Sequence, residues 1–152
     1  MAALNKLLQE QKKRSLVVAP VETSIFELLK CGPGPSSSHT IGPMKAGYEF
    51  LSLCREKLPS FQKKPNHFLV RLYGSLSATG KGHGTCAAVL AGLLGHSPEK
   101  CPAGLLKEIS NNPDEKYTQM LGEIPITLSL HNVIYDNVVH DFPYNNLHHL
   151  FL

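Results

Sequence analysis

Stretches of periodic apolar residues alternate along the chain with compact polar stretches rich in glycine, proline and serine. Residues 3–14 read as a helix, and Pro20 closes that extension. Thr23 or Ser24 stands where an N-cap is needed for a short amphipathic helix through "IFELLK", ended by the glycines and prolines of 32–35. Five polar residues in succession follow, Ser36 to Thr40, fenced by glycine and proline on both sides, and predict an irregular loop. Pro43 suits the first turn of the next helix, where its missing N–H would have no partner anyway. That helix, "PMKAGYEFLSLCREKL", carries Ala46, Phe50, Leu53 and Leu58 at near-helical spacing before Pro59 stops it.

"HFLVRLYG" alternates as a strand does, with Phe68, Val70 and Leu72 on one face. A second polar stretch, "GSLSATGKGHG", predicts another loop, leading into "TCAAVLAGLLG", a small-residue helix closed by Gly95. Two short helices are predicted over residues 96–122, with breaks near Pro102 and at "NNPD". "EIPITLSL" and "NVIYDNVV" predict two strands joined by a tight connection. The order is helix, helix, strand, helix, helices, strand, strand, which predicts mixed α and β in one domain. That domain takes in residues 23–152, behind an extension of residues 1–22.

Composition narrows the class of function. A length of 152 residues with 42% hydrophobic and 18% charged residues suits a single globular domain. The net charge of +3 is dispersed; its tight runs are Lys12-Lys13-Arg14 and Lys63-Lys64, and there is no Trp. Without a basic face interleaved with aromatics, nucleic acid is not an expected partner. No apolar run approaches the ~20 residues that span a bilayer, so no membrane span is expected. The first twenty residues lack the charged-then-apolar order of a secretory signal, and Glu10 argues against a mitochondrial transit peptide. Cys31, Cys54, Cys86 and Cys101 form no CxxC pair, a usage that suits a reducing cytoplasm.

Each polar stretch leads into a helix start, where unpaired N–H groups and the helix dipole favour an anion. Ser36, Ser37, Ser38 and Thr40 add hydroxyls at one start; Ser75, Ser77, Thr79 and Thr85 add them at the other. One hydroxyl per helix meets the needs of capping, and four at each exceed them. A Walker loop is excluded: five residues separate Gly74 from Gly80, and Gly82 rather than a hydroxyl residue follows Lys81. His39 and His83 each lie among glycines inside a polar stretch, and each is a candidate general base, general acid or metal ligand. No further ligand for zinc is evident near them, and no GxSxG elbow is present for a hydrolase.

"SIFELLKCGPGPSSSHTIGPMKAG" and "VRLYGSLSATGKGHGT" closely resemble the two signature stretches of the iron–sulfur L-serine dehydratases, in their β domain or β subunit. The resemblance covers roughly residues 24 to 95. It implies an α+β fold with a mixed sheet packed against helices, like the allosteric substrate-binding domain of some phosphoglycerate dehydrogenases. It implies a lyase that converts L-serine to pyruvate and ammonia without pyridoxal, with a [4Fe–4S] cluster acting as Lewis acid on the substrate hydroxyl. By the family's pattern His83 matches the base for the Cα proton. Ser36, Ser37, Ser38, His39 and Thr40 match the stretch that binds and positions the carboxylate, with Lys81 and Thr85 beside it.

The position after "GHGT" is commonly Asp in that family and is Cys86 here. The cysteine run that ligates the cluster belongs to the α half, which this sequence does not contain, so an α domain or subunit is the expected partner. Three readings follow: a β subunit active with a separate α chain, which could also pair with itself as a homodimer; a truncated, inactive product; or a stand-alone module that binds serine or a related carboxylate.

Overall fold

The computed structural model describes residue 24 and residues 31–60, 63–138 and 148–151. The helices expected over 3–14 and through "IFELLK" lie outside the described residues, as does the boundary expected at 22/23. In chain order the described helices are α1 (Gly42–Lys57), α2 (Gly74–Thr79), α3 (Thr85–Leu93) and α4 (Leu105–Asn111). The described strands are β1 (Val70–Tyr73), β2 (Tyr117–Leu121), β3 (Ile124–Leu128), β4 (Val133–Tyr135) and β5 (His148–Phe151). Together they are an α+β fold.

Helix α1 begins with Pro43 in its first turn, as expected, and buries Met44, Gly47, Leu51 and Cys54. That spacing defines one helical face, but not the expected one: Leu53 is 50% exposed, and Ala46 and Phe50 are half-buried. The reason is α3, whose residues are buried all round except Cys86 and which packs along α1. The helices meet backbone to backbone at two glycines. A Cβ added to Gly47 would lie 2.7 Å from the Val89 carbonyl oxygen, and one added to Gly92 would run into the Met44 carbonyl. Close approach sets Gly47 at the contact, and the face centred on it buries Met44, Leu51 and Cys54 and leaves Leu53 outside.

Strand β1 is the centre of a mixed sheet. Val70, Leu72 and, before the strand, Phe68 point into the core, as the alternation predicts. β4 runs parallel to β1, with Val70 opposite Val133 and Leu72 opposite Tyr135. β5 runs antiparallel on the other side, with Tyr73 opposite His149. The Asn132 amide donates to the Phe68 carbonyl at 2.9 Å and the Asp136 N–H to the Leu72 carbonyl at 2.9 Å, which extends the β1–β4 register at both ends.

Three local expectations are corrected. Residues 96–122 hold two short helical pieces with breaks at Pro102 and after Asn111, as expected, but also a strand that was not expected. They form a 3₁₀ turn (Pro98–Lys100), α4 and then β2. β2 forms an antiparallel hairpin with β3 that turns on Gly122 and Glu123. Gly122 has φ 62 and no described non-glycine residue has positive φ, Glu123 included, so only the first turn position is left-handed, as a type II′ hairpin requires. Leu121, Ile126 and Leu128 bury the hairpin's inner face.

The stretch 74–84, expected as a loop, is helical: α2 passes into a 3₁₀ turn (Gly80–His83) before α3. The buried Leu76 anchors α2, and the Thr79 hydroxyl bonds back to the Ser75 carbonyl at 2.9 Å. Residues Ser37–Ile41, also expected as irregular, form a wide π turn that runs on into α1. There the Ser36 carbonyl accepts from both the Thr40 and Ile41 N–H groups, at 3.0 and 3.1 Å.

Candidate functional site

The two polar segments, some forty residues apart in sequence, are folded against each other. The His39 and His83 ring centroids lie 4.9 Å apart with their planes tilted by 41°. Two threonines brace the pair reciprocally. Thr40 donates its hydroxyl proton to the His83 carbonyl at 2.9 Å, and Thr85 donates to the His39 carbonyl at 2.7 Å. Both threonines are fully buried. The residue four positions after His39 is Pro43, which has no N–H to offer that carbonyl; the Thr85 hydroxyl reaches it from the neighbouring segment.

The hydrogen bonds also fix which ring nitrogens carry protons. His83 Nδ1 lies 3.0 Å from the Thr79 carbonyl oxygen. A carbonyl only accepts, so Nδ1 carries the hydrogen and the lone pair of the neutral ring is on Nε2. No described residue hydrogen-bonds that Nε2. His39 is the opposite case. Its Nε2 faces the Thr79 hydroxyl at 2.9 Å and the Ser75 carbonyl at 3.3 Å. The Thr79 hydroxyl already gives its own proton to Ser75, so it accepts from His39 Nε2–H. His39 Nδ1 is then the acceptor for the Ser38 hydroxyl at 3.0 Å. Ser36 lies at 3.5 Å behind Ser38 and also receives the His39 backbone N–H at 3.2 Å, as an N-cap does. Ser37 is exposed.

The expected site residues therefore divide by what they touch. Ser36, Ser38, His39 and His83 meet in one hydrogen-bonded group with Thr79, while Thr40 and Thr85 lie beneath it with their hydroxyl protons committed to backbone carbonyls. Lys81 stands apart from that group. Its ammonium sits 5.5 Å over the Tyr135 ring, and it lines a cavity of about 260 Å³ with Gly84, Cys86, Ser110, Val133 and Tyr135. The Tyr135 hydroxyl lies beside the Cys86 thiol. Burial pushes the thiol up from its ordinary range, against the pull of that hydroxyl and of the Lys81 charge. Burial, and then the contact with Cys86, holds the Tyr135 hydroxyl well above the usual phenol range.

Sequence reasoning counted Thr79 among the hydroxyls of the second stretch but gave it no role, and it did not single out Tyr135. Thr79 carried a signal, since it lies four residues before His83, the spacing at which a helical turn brings a carbonyl to a side chain or N–H. Reading the segment as a loop hid it. Tyr135 reaches the cavity only because β4 pairs in parallel with β1, which local sequence does not show.

Comparison with known proteins gives the site a context. Residues 24–148 match the model of a family described as serine dehydratase beta chain. L-serine dehydratase TdcG of Escherichia coli (strain K12) is 50% identical over 76 residues, which are 50% of this chain and 16% of that protein. The L-serine dehydratase of Streptomyces coelicolor is 53% identical over 77 residues, 49% of this chain and 16% of that one. That of Haemophilus influenzae is 48% identical over 75 residues, again 16% of its length. The aligned stretch is thus about half of this chain and a small part of each relative.

Proposed function

The chain belongs to the serine dehydratase beta-chain family, and from that premise we propose that it is the β part of an L-serine ammonia-lyase, converting L-serine to pyruvate and ammonia. The observation that carries the reading is the asymmetry of the histidine pair. Both ring nitrogens of His39 are bonded within the protein, whereas His83 keeps an Nε2 lone pair that no described residue uses. In this proposal His83 Nε2 takes the Cα proton of L-serine. The hydroxyls of Ser36 and Ser37 hold the substrate carboxylate, while Ser38, which gives its proton to His39 Nδ1, and His39 keep that segment in place; Lys81, over Tyr135, lies outside this group. Thr40 and Thr85 keep the two segments in register. Loss of the Cα proton and the β-hydroxyl leaves an enamine. Its imine form takes up one water and releases ammonia, so the water lost is regained.

The family resemblance implies a [4Fe–4S] cluster, and the residues of this chain do not fit one. Cys31 is exposed, Cys54 is buried and Cys86 and Cys101 lie between, all as free thiols. Among the described residues no three His, Cys, Asp or Glu side chains gather to hold a metal. We therefore assign the cluster to a companion α domain or subunit, and this chain's part is substrate binding and proton transfer. No described helix is long and apolar enough to cross a membrane. We place the enzyme in the cytoplasm on the scattered free cysteines.

The test uses the chain assembled with an α part, or joined to one. His83→Ala should lower kcat by roughly a hundredfold to ten-thousandfold with little change in KM. If His83→Ala keeps near-normal turnover and His39→Ala does not, the two roles are reversed. If the assembled enzyme does not act on L-serine at all, the function is wrong.

A further inference from the structure

One residue touches both histidines by two different groups. The Thr79 hydroxyl oxygen lies 2.9 Å from His39 Nε2, and the Thr79 carbonyl oxygen lies 3.0 Å from His83 Nδ1. We propose that Thr79 is a shared positioning residue, which fixes the proton placement of one histidine with its side chain and of the other with its backbone. The inference rests on the reading of His83 as the base for its catalytic consequence, but its structural content stands on these contacts alone.

The direction of every bond around Thr79 is determined. Its hydroxyl donates to the Ser75 carbonyl at 2.9 Å within α2, which leaves its oxygen as an acceptor only. His39 must then donate from Nε2, which leaves Nδ1 to accept from Ser38. The Thr79 carbonyl, at the junction of α2 with the 3₁₀ turn, has a second lone pair to offer the side chain of His83 four residues later. His83 Nδ1–H takes it and turns Nε2 outward. A hydroxyl is needed for the His39 half, and only the main chain for the His83 half. Thr79 itself is exposed, so its hydroxyl is not held there by burial. Beside the Thr40 and Thr85 braces, which join the backbones, Thr79 is thus the residue that contacts both rings of the pair at 4.9 Å.

Two variants separate the halves. Thr79→Ser keeps the hydroxyl; Thr79→Val removes it and keeps the shape and the carbonyl. The readout is nitrogen-15 NMR of the imidazole rings in the full chain, which reports the protonated nitrogen of each histidine directly. The wild type and Thr79→Ser should show His39 as a single Nε2–H form with a slowly exchanging proton, and His83 as the Nδ1–H form. Thr79→Val should lose the exchange protection at His39 and leave His83 as Nδ1–H. In the enzyme assembled with an α part, Thr79→Val should lower kcat on the order of tenfold to a hundredfold with KM nearly unchanged, and Thr79→Ser should restore it.

A wild-type His83 protonated on Nε2 would overturn the backbone half. Unchanged His39 signals together with unchanged kcat in Thr79→Val would overturn the side-chain half. If the ring signals respond as stated while His83→Ala stays active, the positioning stands and the assignment of the base fails.

Discussion

Replacing the two buried threonines by valine tests whether the paired segments are held by their reciprocal hydroxyl bonds. Thr→Val keeps the branched shape, and the helix propensities of the two residues are close, so the main loss is one hydroxyl. In Thr85→Val the 2.7 Å bond to the His39 carbonyl disappears, and in Thr40→Val the 2.9 Å bond to the His83 carbonyl does. Each threonine is fully buried, so water cannot take the hydroxyl's place without opening the segment. Leaving a buried carbonyl without its donor costs about 1–3 kcal/mol, so about 2 kcal/mol is expected for each variant. For a chain of this size 1 kcal/mol moves Tm by about 2–4 °C, which gives a fall of about 4–8 °C.

Both bonds bridge the same two segments. Once one is gone the other holds a looser pair, so the double variant should cost less than the sum of the singles by about 0.5 kcal/mol or more. Urea unfolding of the full chain, followed by far-ultraviolet circular dichroism, measures all four corners of the cycle. Thr40→Ser and Thr85→Ser, which keep the hydroxyl, should each lose less than the corresponding valine. Valine variants within 0.5 kcal/mol of wild type, or serine variants worse than valine, would refute the bracing role and leave the methyl groups as what matters at these positions.

The contact between α1 and α3 predicts a larger loss from a smaller change: Gly92→Ala should destabilise by more than about 3 kcal/mol, because its Cβ meets the Met44 backbone, which cannot move like a side-chain end. Gly82→Ala is the control; nothing lies within 4 Å of its added Cβ and its φ is not positive, so urea unfolding should find it within about 1 kcal/mol of wild type. Cys86 and Tyr135 predict an alkaline limb of stability. Both are raised in the folded state, so the unfolded chain ionises first, and the stability present below the ordinary thiol range is lost as pH climbs from about 8.5 upward. Tyr135→Phe with Cys86→Ala should flatten that limb in urea titrations between neutral and alkaline pH, and an equal slope in the double variant would deny their part in it.

How much of this was legible in the sequence depended on whether the deciding contact was local. The start of α1 at Pro43 and the core face of β1 through Phe68, Val70 and Leu72 rest on rules within one element, and both were readable. The buried face of α1 was not. Phe50 and Leu53 look like its core ridge until Gly47 and Gly92 meet, and that meeting is a fact about two helices. Strand β2 was read as part of a helical stretch because its weak alternation, from Tyr117 to Leu121, is completed only by pairing with β3. The candidate site shows the same division. The concentration of hydroxyls and the two histidines were visible as residue types, since four hydroxyls per helix start exceed what capping needs. Their division of labour was not visible. Thr40 and Thr85 have the same side chain as Thr79, yet two of them hold opposite backbones while the third receives a histidine proton. Which hydroxyl does which follows from where each acceptor carbonyl lies across the fold. His39 and His83 are likewise alike in sequence context, and what distinguishes them is a bond count: two ring nitrogens engaged against one. A nitrogen left with its lone pair beside a fully bonded neighbour is what a base requires, and it was the long-range contact of Thr79 with His39, added to that of the adjacent Ser38, that produced the difference.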